Sequence, residues 1–169
     1  MQMLQAEIPV VGPLEPDLGI APWRGQPSDW PVTALPANEA VHAAKEQSAA
    51  AAEQLDMALR LAFFRDSRCI SMLHEVVDVA CGCDAVDADA LVAALEDGRA
   101  RGPMMADHRA HADEVRGSPH FFLADGSDVH DPGIGLHWAD AGYPVVDADD
   151  PGVYEDFVRR AADAAQGAA

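Results

Sequence analysis

Three cysteines, Cys69, Cys81 and Cys83, are the side chains of this chain with the most direct capacity for covalent chemistry. An odd, small number does not make a disulfide framework and suits a reducing compartment. No two of them stand in a Cys-x-x-Cys arrangement. Cys81-Gly82-Cys83 could close a disulfide across a single residue, but such a bridge is strained, and strained disulfides are oxidising and labile. The pair falls at the end of an expected helix, where the partial negative charge disfavours a thiolate. Asp78 and Asp84 push the same way. Cys81 and Cys83 are therefore weak redox candidates, and Cys69, between Arg68 and Ile70, reads as a small buried apolar residue.

The seven histidines raise the question of a metal. His108 and His111 share a helical face beside Asp107 and Asp113, but zinc needs three or four converging ligands and a surrounding layer to orient them. The pair reads as a solvated face, and no metal is expected. His130, His137 and Trp138 flank the segment after an expected hairpin; they either line a groove or, for Trp138, cover the core. No Gly-x-Ser-x-Gly elbow, phosphate loop or dinucleotide fingerprint is present. The many acids of so acidic a chain mean solubility rather than acid–base chemistry.

The elements that position these residues follow from periodicity and caps. Residues 1–36 are proline-rich and carry Trp23 and Trp30; they read as an irregular lead-in with a short strand near Glu7 to Val11. "PANEAVHAAKEQ" and "SAAAAEQLDMALRLAFFRD" are helical, with Leu55, Ala58, Leu59, Ala62 and Phe63 on one face. Ser48 either caps the second of these or lies within one continuous helix. "SMLHEVVDVAC" is a helix capped by Ser71, "DADALVAALEDG" one capped by Asp87 and stopped at Gly98, and "GPMMADHRAHADEV" one with Pro103 in its first turn. "HFFLA", a turn at Asp125-Gly126 and "SDVHD" form an antiparallel hairpin. "PGIGLHWADAGYPVVDAD" is a loop, and a last helix starts at Asp150-Pro151. Phe63, Phe64, Phe121, Phe122 and Leu123 are core candidates, and the pair Met104 and Met105 reads as gap-filling.

Before the hairpin stands Gly117-Ser118-Pro119. A proline inside a central strand would remove a ladder hydrogen bond, so Pro119 must precede the strand. A helical block, this turn, an apolar strand, an Asp-Gly hairpin and a terminal helix together resemble the DsbA-like branch of the thioredoxin superfamily. "DWPVTALPANEAVHAAKEQ" and "LDMALRLAFFRDSRCIS" resemble that family's helical insertion, so the likeness spans roughly residues 29–162. It implies an α/β, thioredoxin-like fold: a helical insertion over about 37–114, then a hairpin and helix over about 115–166. It also implies a cis peptide before Pro119, and Ser118, Pro119 and His120 as the wall that receives a substrate chain. The activity implied is thiol–disulfide exchange with a protein or small-molecule thiol, with no bound organic cofactor. The family's Cys-x-x-Cys lies in a first βαβ unit, which would fall before residue 1. Without it the enzyme would be incomplete or inactive. The alternative is a non-catalytic thioredoxin-like protein that binds a partner or forms a homodimer through an open sheet edge.

Length and composition bound both readings. The 169 residues suffice for one domain with a proper core. With 49% hydrophobic and 24% charged residues, the chain has the balance of a folded globular protein. A net charge of −18 without a basic cluster argues against nucleic acid. No run approaches a membrane span, no secretion signal is legible, and a cytoplasmic location is expected.

Overall fold

The structure is a computed structural model that describes residues 2–167. Its class is mixed α/β: among the described residues there are seven helices and two small antiparallel sheets. The chain divides into two compact units, residues 1–110 and 111–169. No helix among the described residues is long and apolar enough to cross a membrane.

The first unit is helical. Helix α1 spans Gln2–Val11, and short 3-10 turns follow at Gly12–Leu14, Pro16–Leu18 and Pro27–Asp29. The strand expected near Glu7 to Val11 is therefore a helix. Leu4, Ile8 and Val11 recur at helical spacing, and Ile8 is buried. That period is interrupted by Pro9, which made the stretch look extended.

Helices α2 (Leu35–Gln47) and α3 (Ala49–Phe64) are distinct, and Ser48 separates them. Its backbone N–H donates to the Ala44 carbonyl at 3.1 Å, ending α2. Its Oγ accepts from Ala51 N at 2.9 Å, which starts α3. The core is thin-walled: Ala40, Ala43, Ala44 and Ala51 are buried together, and Leu55, Leu91 and Val76 supply the bulk. Phe63 closes it through edge contacts with Trp30 and Phe64.

Helix α4 (Leu73–Cys81) turns Val76, Val79 and Ala80 inward, as its apolar spacing requires. Ser71 does not cap it. The residue before the helix is Met72, while the Ser71 hydroxyl accepts from Thr33 N at 3.1 Å and donates to Thr33 O at 2.6 Å. That long-range tie holds the segment before α2 and outcompetes the local cap. Asp87 does cap α5 (Ala88–Asp97), accepting from Ala90 N at 3.0 Å, and Gly98 ends it at φ +69°. Helix α6 covers Arg101–His111, with Pro103 in its first turn and Met104 buried. Arg101 donates from Nε and Nη2 to Glu39 Oε2 at 2.9 and 2.8 Å. Glu39 is the one buried charged side chain among the described residues, and its Oε1 has no partner.

The second unit holds both sheets. Strands β1 (His120–Phe122) and β2 (Asp128–His130) pair antiparallel, with His120 opposite His130 and Phe122 opposite Asp128. Leu123 N donates to Ser127 O at 2.8 Å, so the loop is Ala124, Asp125 and Gly126, one residue longer than an Asp-Gly tight turn. Gly126 sits at φ +81°, the left-handed position such a loop needs. The stretch expected as a loop instead contains β3 (Ile134–Trp138) and β4 (Pro144–Asp149), an antiparallel pair bulged between Gly135 and Leu136. Its turn closes by Ala139 N to Tyr143 O and Gly142 N to Ala139 O, both 2.9 Å, with Gly142 at φ +82°. Helix α7 (Pro151–Gly167) follows, and Asp150 Oδ1 accepts from Gly152 N at 2.9 Å. Phe121 and Phe122 are not core residues: β1 has one neighbouring strand, and the two rings are 39% and 46% exposed.

Candidate functional site

The turn at residues 116–119, β1 and β2 bring together Ser118, Pro119 and His120, the residues that the family resemblance implies as a substrate wall. Side chains two apart in a strand share a face, and directly paired residues share it too. The register therefore sets His120, Phe122, Asp128 and His130 on one face of the first hairpin. A register shifted by one residue would turn this set to the opposite face. The turn is fitted against that face. A methyl on Gly117 would fall 2.5 Å from His130 Nε2, so the missing side chain lets the backbone lie on the imidazole. The Ser118–Pro119 peptide is cis. Pro119 O accepts from Asp131 N at 3.1 Å, which ties the turn to the end of β2. Ser118 and Pro119 are exposed.

His120 is the buried member: its side chain retains 2% of its exposure. Arg116 N–H donates to His120 Nδ1 at 3.2 Å, which assigns the remaining ring proton to Nε2. From there it is donated to Asp128 Oδ1 at 2.8 Å. The Arg116 guanidinium binds the same carboxylate oxygen, and the Phe122 ring lies 4.4 Å from the imidazole, tilted by 43°. Burial, then the charge of Arg116, then His130 lower the pKa of His120 below its ordinary 6.5. A depressed histidine favours the neutral ring in the folded chain. Its stabilising contribution is complete above 6.5 and is lost as pH falls through the folded value. An NMR titration should place the His120 midpoint below 6.5, and the second unit should unfold more easily at pH 5 than at pH 7. A midpoint at or above 6.5 would contradict this geometry.

Arg116 and Asp128 were not singled out from sequence. The signal for Asp128 was present, because once the hairpin loop is fixed at Ala124 to Gly126 it must share the face of His120. For Arg116, whose reach depends on the turn's path, no local pattern existed. His130 lies at the turn, with Nδ1 3.2 Å from Asp131 Oδ2. His137 and Trp138 belong to the other sheet: His137 Nδ1 lies 2.8 Å from Asp147 Oδ2, and Trp138 is exposed rather than a core lid.

The cysteines all lie in the first unit and are unbridged. Cys69 is half-buried rather than fully covered, lining a recess with Arg68 and His74. Cys81 is exposed at the end of α4. Cys83 is buried, its Sγ directed at Val79 O at 3.5 Å, and burial with the Asp84 charge pushes its thiol pKa up. Maleimide at pH 7 should therefore modify Cys81 well before Cys83, read by peptide mass mapping; equal rates would contradict the burial of Cys83. Among the described residues no group of three His, Cys, Asp or Glu side chains is placed to hold a metal ion, and His108 and His111 do not form the start of one.

No family model matches this chain, and no curated protein or solved structure matches it either.

Proposed function

We propose that residues 111–169 are the substrate-facing part of a thioredoxin-like, DsbA-type thiol–disulfide oxidoreductase. The observation that carries this reading is Ser118. It is exposed at the head of β1, and its backbone has no hydrogen-bond partner among the described residues. Arg116, His120, Asp128 and His130 support it from beneath. Such a fixed, open backbone can receive an extended peptide or a small disulfide. His120 positions the turn through Arg116 and does not reach solvent itself.

In the reaction proposed, a thiolate attacks one sulfur of a substrate disulfide and expels the other as a thiolate, giving a mixed disulfide. A second thiol then attacks the enzyme's sulfur in that bond, releasing the reduced substrate and leaving the enzyme dithiol oxidised. Two thiols of the cellular pool return the two electrons and leave as a disulfide. These 169 residues contain no Cys-x-x-Cys, so the dithiol would have to come from other residues. Cys83, buried beside Asp84, is poorly suited to replace it.

A second reading has its own observation in favour. Each sheet has two strands and hence open edges, and Phe121, Phe122, Leu136 and Trp138 are exposed upon them. Such edges suit a non-catalytic protein that pairs with a partner or a second copy.

The test is made on the endogenous protein from its own cells: intact mass, and dithiothreitol-driven reduction of insulin. The enzyme reading expects a mass above 17.9 kDa, a Cys-x-x-Cys peptide and activity lost on alkylation. A mass of 17.9 kDa with no insulin reduction overturns it and leaves the binding reading, which sedimentation then examines.

A further inference from the structure

We propose that the helical unit carries a binding cleft for a small hydrophobic monocarboxylate, independent of the thiol chemistry above. The cleft, about 340 Å³, lies between α2, α3 and the segment before α2. That is the size of a small-molecule site. Its apolar wall is Trp30, Phe63, Phe64, Leu59 and Ile70. Trp30 and Phe63 meet edge-on at 5.4 Å, so the wall is a fixed aromatic surface rather than a set of mobile chains. Val32 forms an apolar lip and is 92% exposed.

The polar end is built differently. Asn38, Asp56 and Arg60 line the cleft. A second recess of about 280 Å³ shares Asn38, Val41 and Asp56 with it and adds Lys45, His42, His108, Met104 and the carboxylate of Asp107. Asp56 is neutralised within the wall, since its Oδ2 accepts from Arg60 Nε at 2.7 Å. That bond leaves both terminal nitrogens of Arg60 uncommitted. The Asn38 side-chain amide and the Lys45 ammonium likewise have no hydrogen-bond partner among the described residues. The cationic groups left unspent around this mouth are thus the Arg60 terminal nitrogens and the Lys45 ammonium, beside two acceptors, Asp56 Oδ1 and the Asn38 amide oxygen. A carboxylate supplies acceptors for these cations, and a planar guanidinium suits it. An apolar body would then cover the aromatic wall; an alcohol head would offer the cationic donors only a neutral acceptor, and a quaternary ammonium none.

Decanoate, kept below its micelle concentration, is the probe, with 1-decanol and decyltrimethylammonium as comparisons. Each is titrated into the full chain by calorimetry, and amide NMR shifts locate the site. The expected result is saturable one-site binding of decanoate, with shifts centred on Asn38, Arg60 and Phe64. It should exceed decanol by about 10-fold or more, the scale of one charge-assisted hydrogen bond. Arg60→Gln and Asn38→Leu change exposed positions, so both variants should keep the wild-type circular dichroism. Arg60→Gln should weaken decanoate by about 10-fold and leave decanol unchanged. The proposal is overturned by an absence of saturable binding, by equal or tighter binding of the ammonium compound, or by an Arg60→Gln variant that binds decanoate like the parent.

Discussion

Leu55→Ala should cost the helical unit about 4 kcal/mol of stability, within the 2–5 kcal/mol seen when a large core aliphatic is truncated. Leu55 is fully buried and is one of three side chains that give this core its bulk. Much of its surroundings is alanine. A longer neighbour could swing into the space left behind, but a methyl group has no rotamer that reaches it. The cavity therefore stays open, and the upper part of the range applies. Urea unfolding followed by helical circular dichroism measures the effect: the midpoint should fall while the slope stays constant. Leu55→Met, which keeps the volume, should cost less than about 1.5 kcal/mol. A loss below about 1 kcal/mol for the alanine variant would mean that the core collapses onto the site.

For the second unit the corresponding position is Gly133. It adopts φ +80°, and a methyl there would lie 2.7 Å from Asp150 O and 2.9 Å from the Tyr154 ring. Asp150 N donates to Gly133 O at 2.8 Å, so this contact joins the entry to β3 to the start of α7. Gly133→Ala costs about 1–2 kcal/mol for the left-handed backbone, and adds a collision with a main-chain atom that no side-chain rotation relieves. The control lies within the same unit. Gly126 has nearly the same φ, but nothing lies within 4 Å of its would-be methyl. Gly126→Ala should show the backbone cost alone. Hydrogen exchange at Val153 to Phe157 should accelerate in the Gly133 variant and stay unchanged in the Gly126 variant. Equal effects of the two would remove the steric account.

Features decided within a few residues were legible in the sequence. Asp87, Gly98 and the inward face of α3 each depend on neighbours no more than four positions away, and each was found. Ser71 was misread because its hydroxyl answers to Thr33, a partner 38 residues off. The hairpin of β3 and β4 was missed because bulged Gly135 breaks the alternation that marks a strand. Gly142, the residue that permits its turn, was the available clue. Phe121 and Phe122 look like core by type, but burial depends on how many strands flank β1, which no local pattern states. At the site, the turn was legible as a unit, and His120 was placed at the head of its strand. The coupling of His120 to Arg116 and Asp128 required the register.

The contact between α2 and α3 also limits how this sequence can drift. Ala40, Ala43, Ala44 and Ala51 are each no more than 1% exposed, and the helices meet through their methyl groups. A larger residue at any of them overfills the seam at about 1–3 kcal/mol. Glycine loosens the helix by about 1 kcal/mol, and serine buries a hydroxyl that must then find a partner. Every direction of change is uphill. The buried alanines of this seam are thus a structural requirement, unlike exposed Ala49 and Ala50, and they should be the slowest to vary among descendants of this chain.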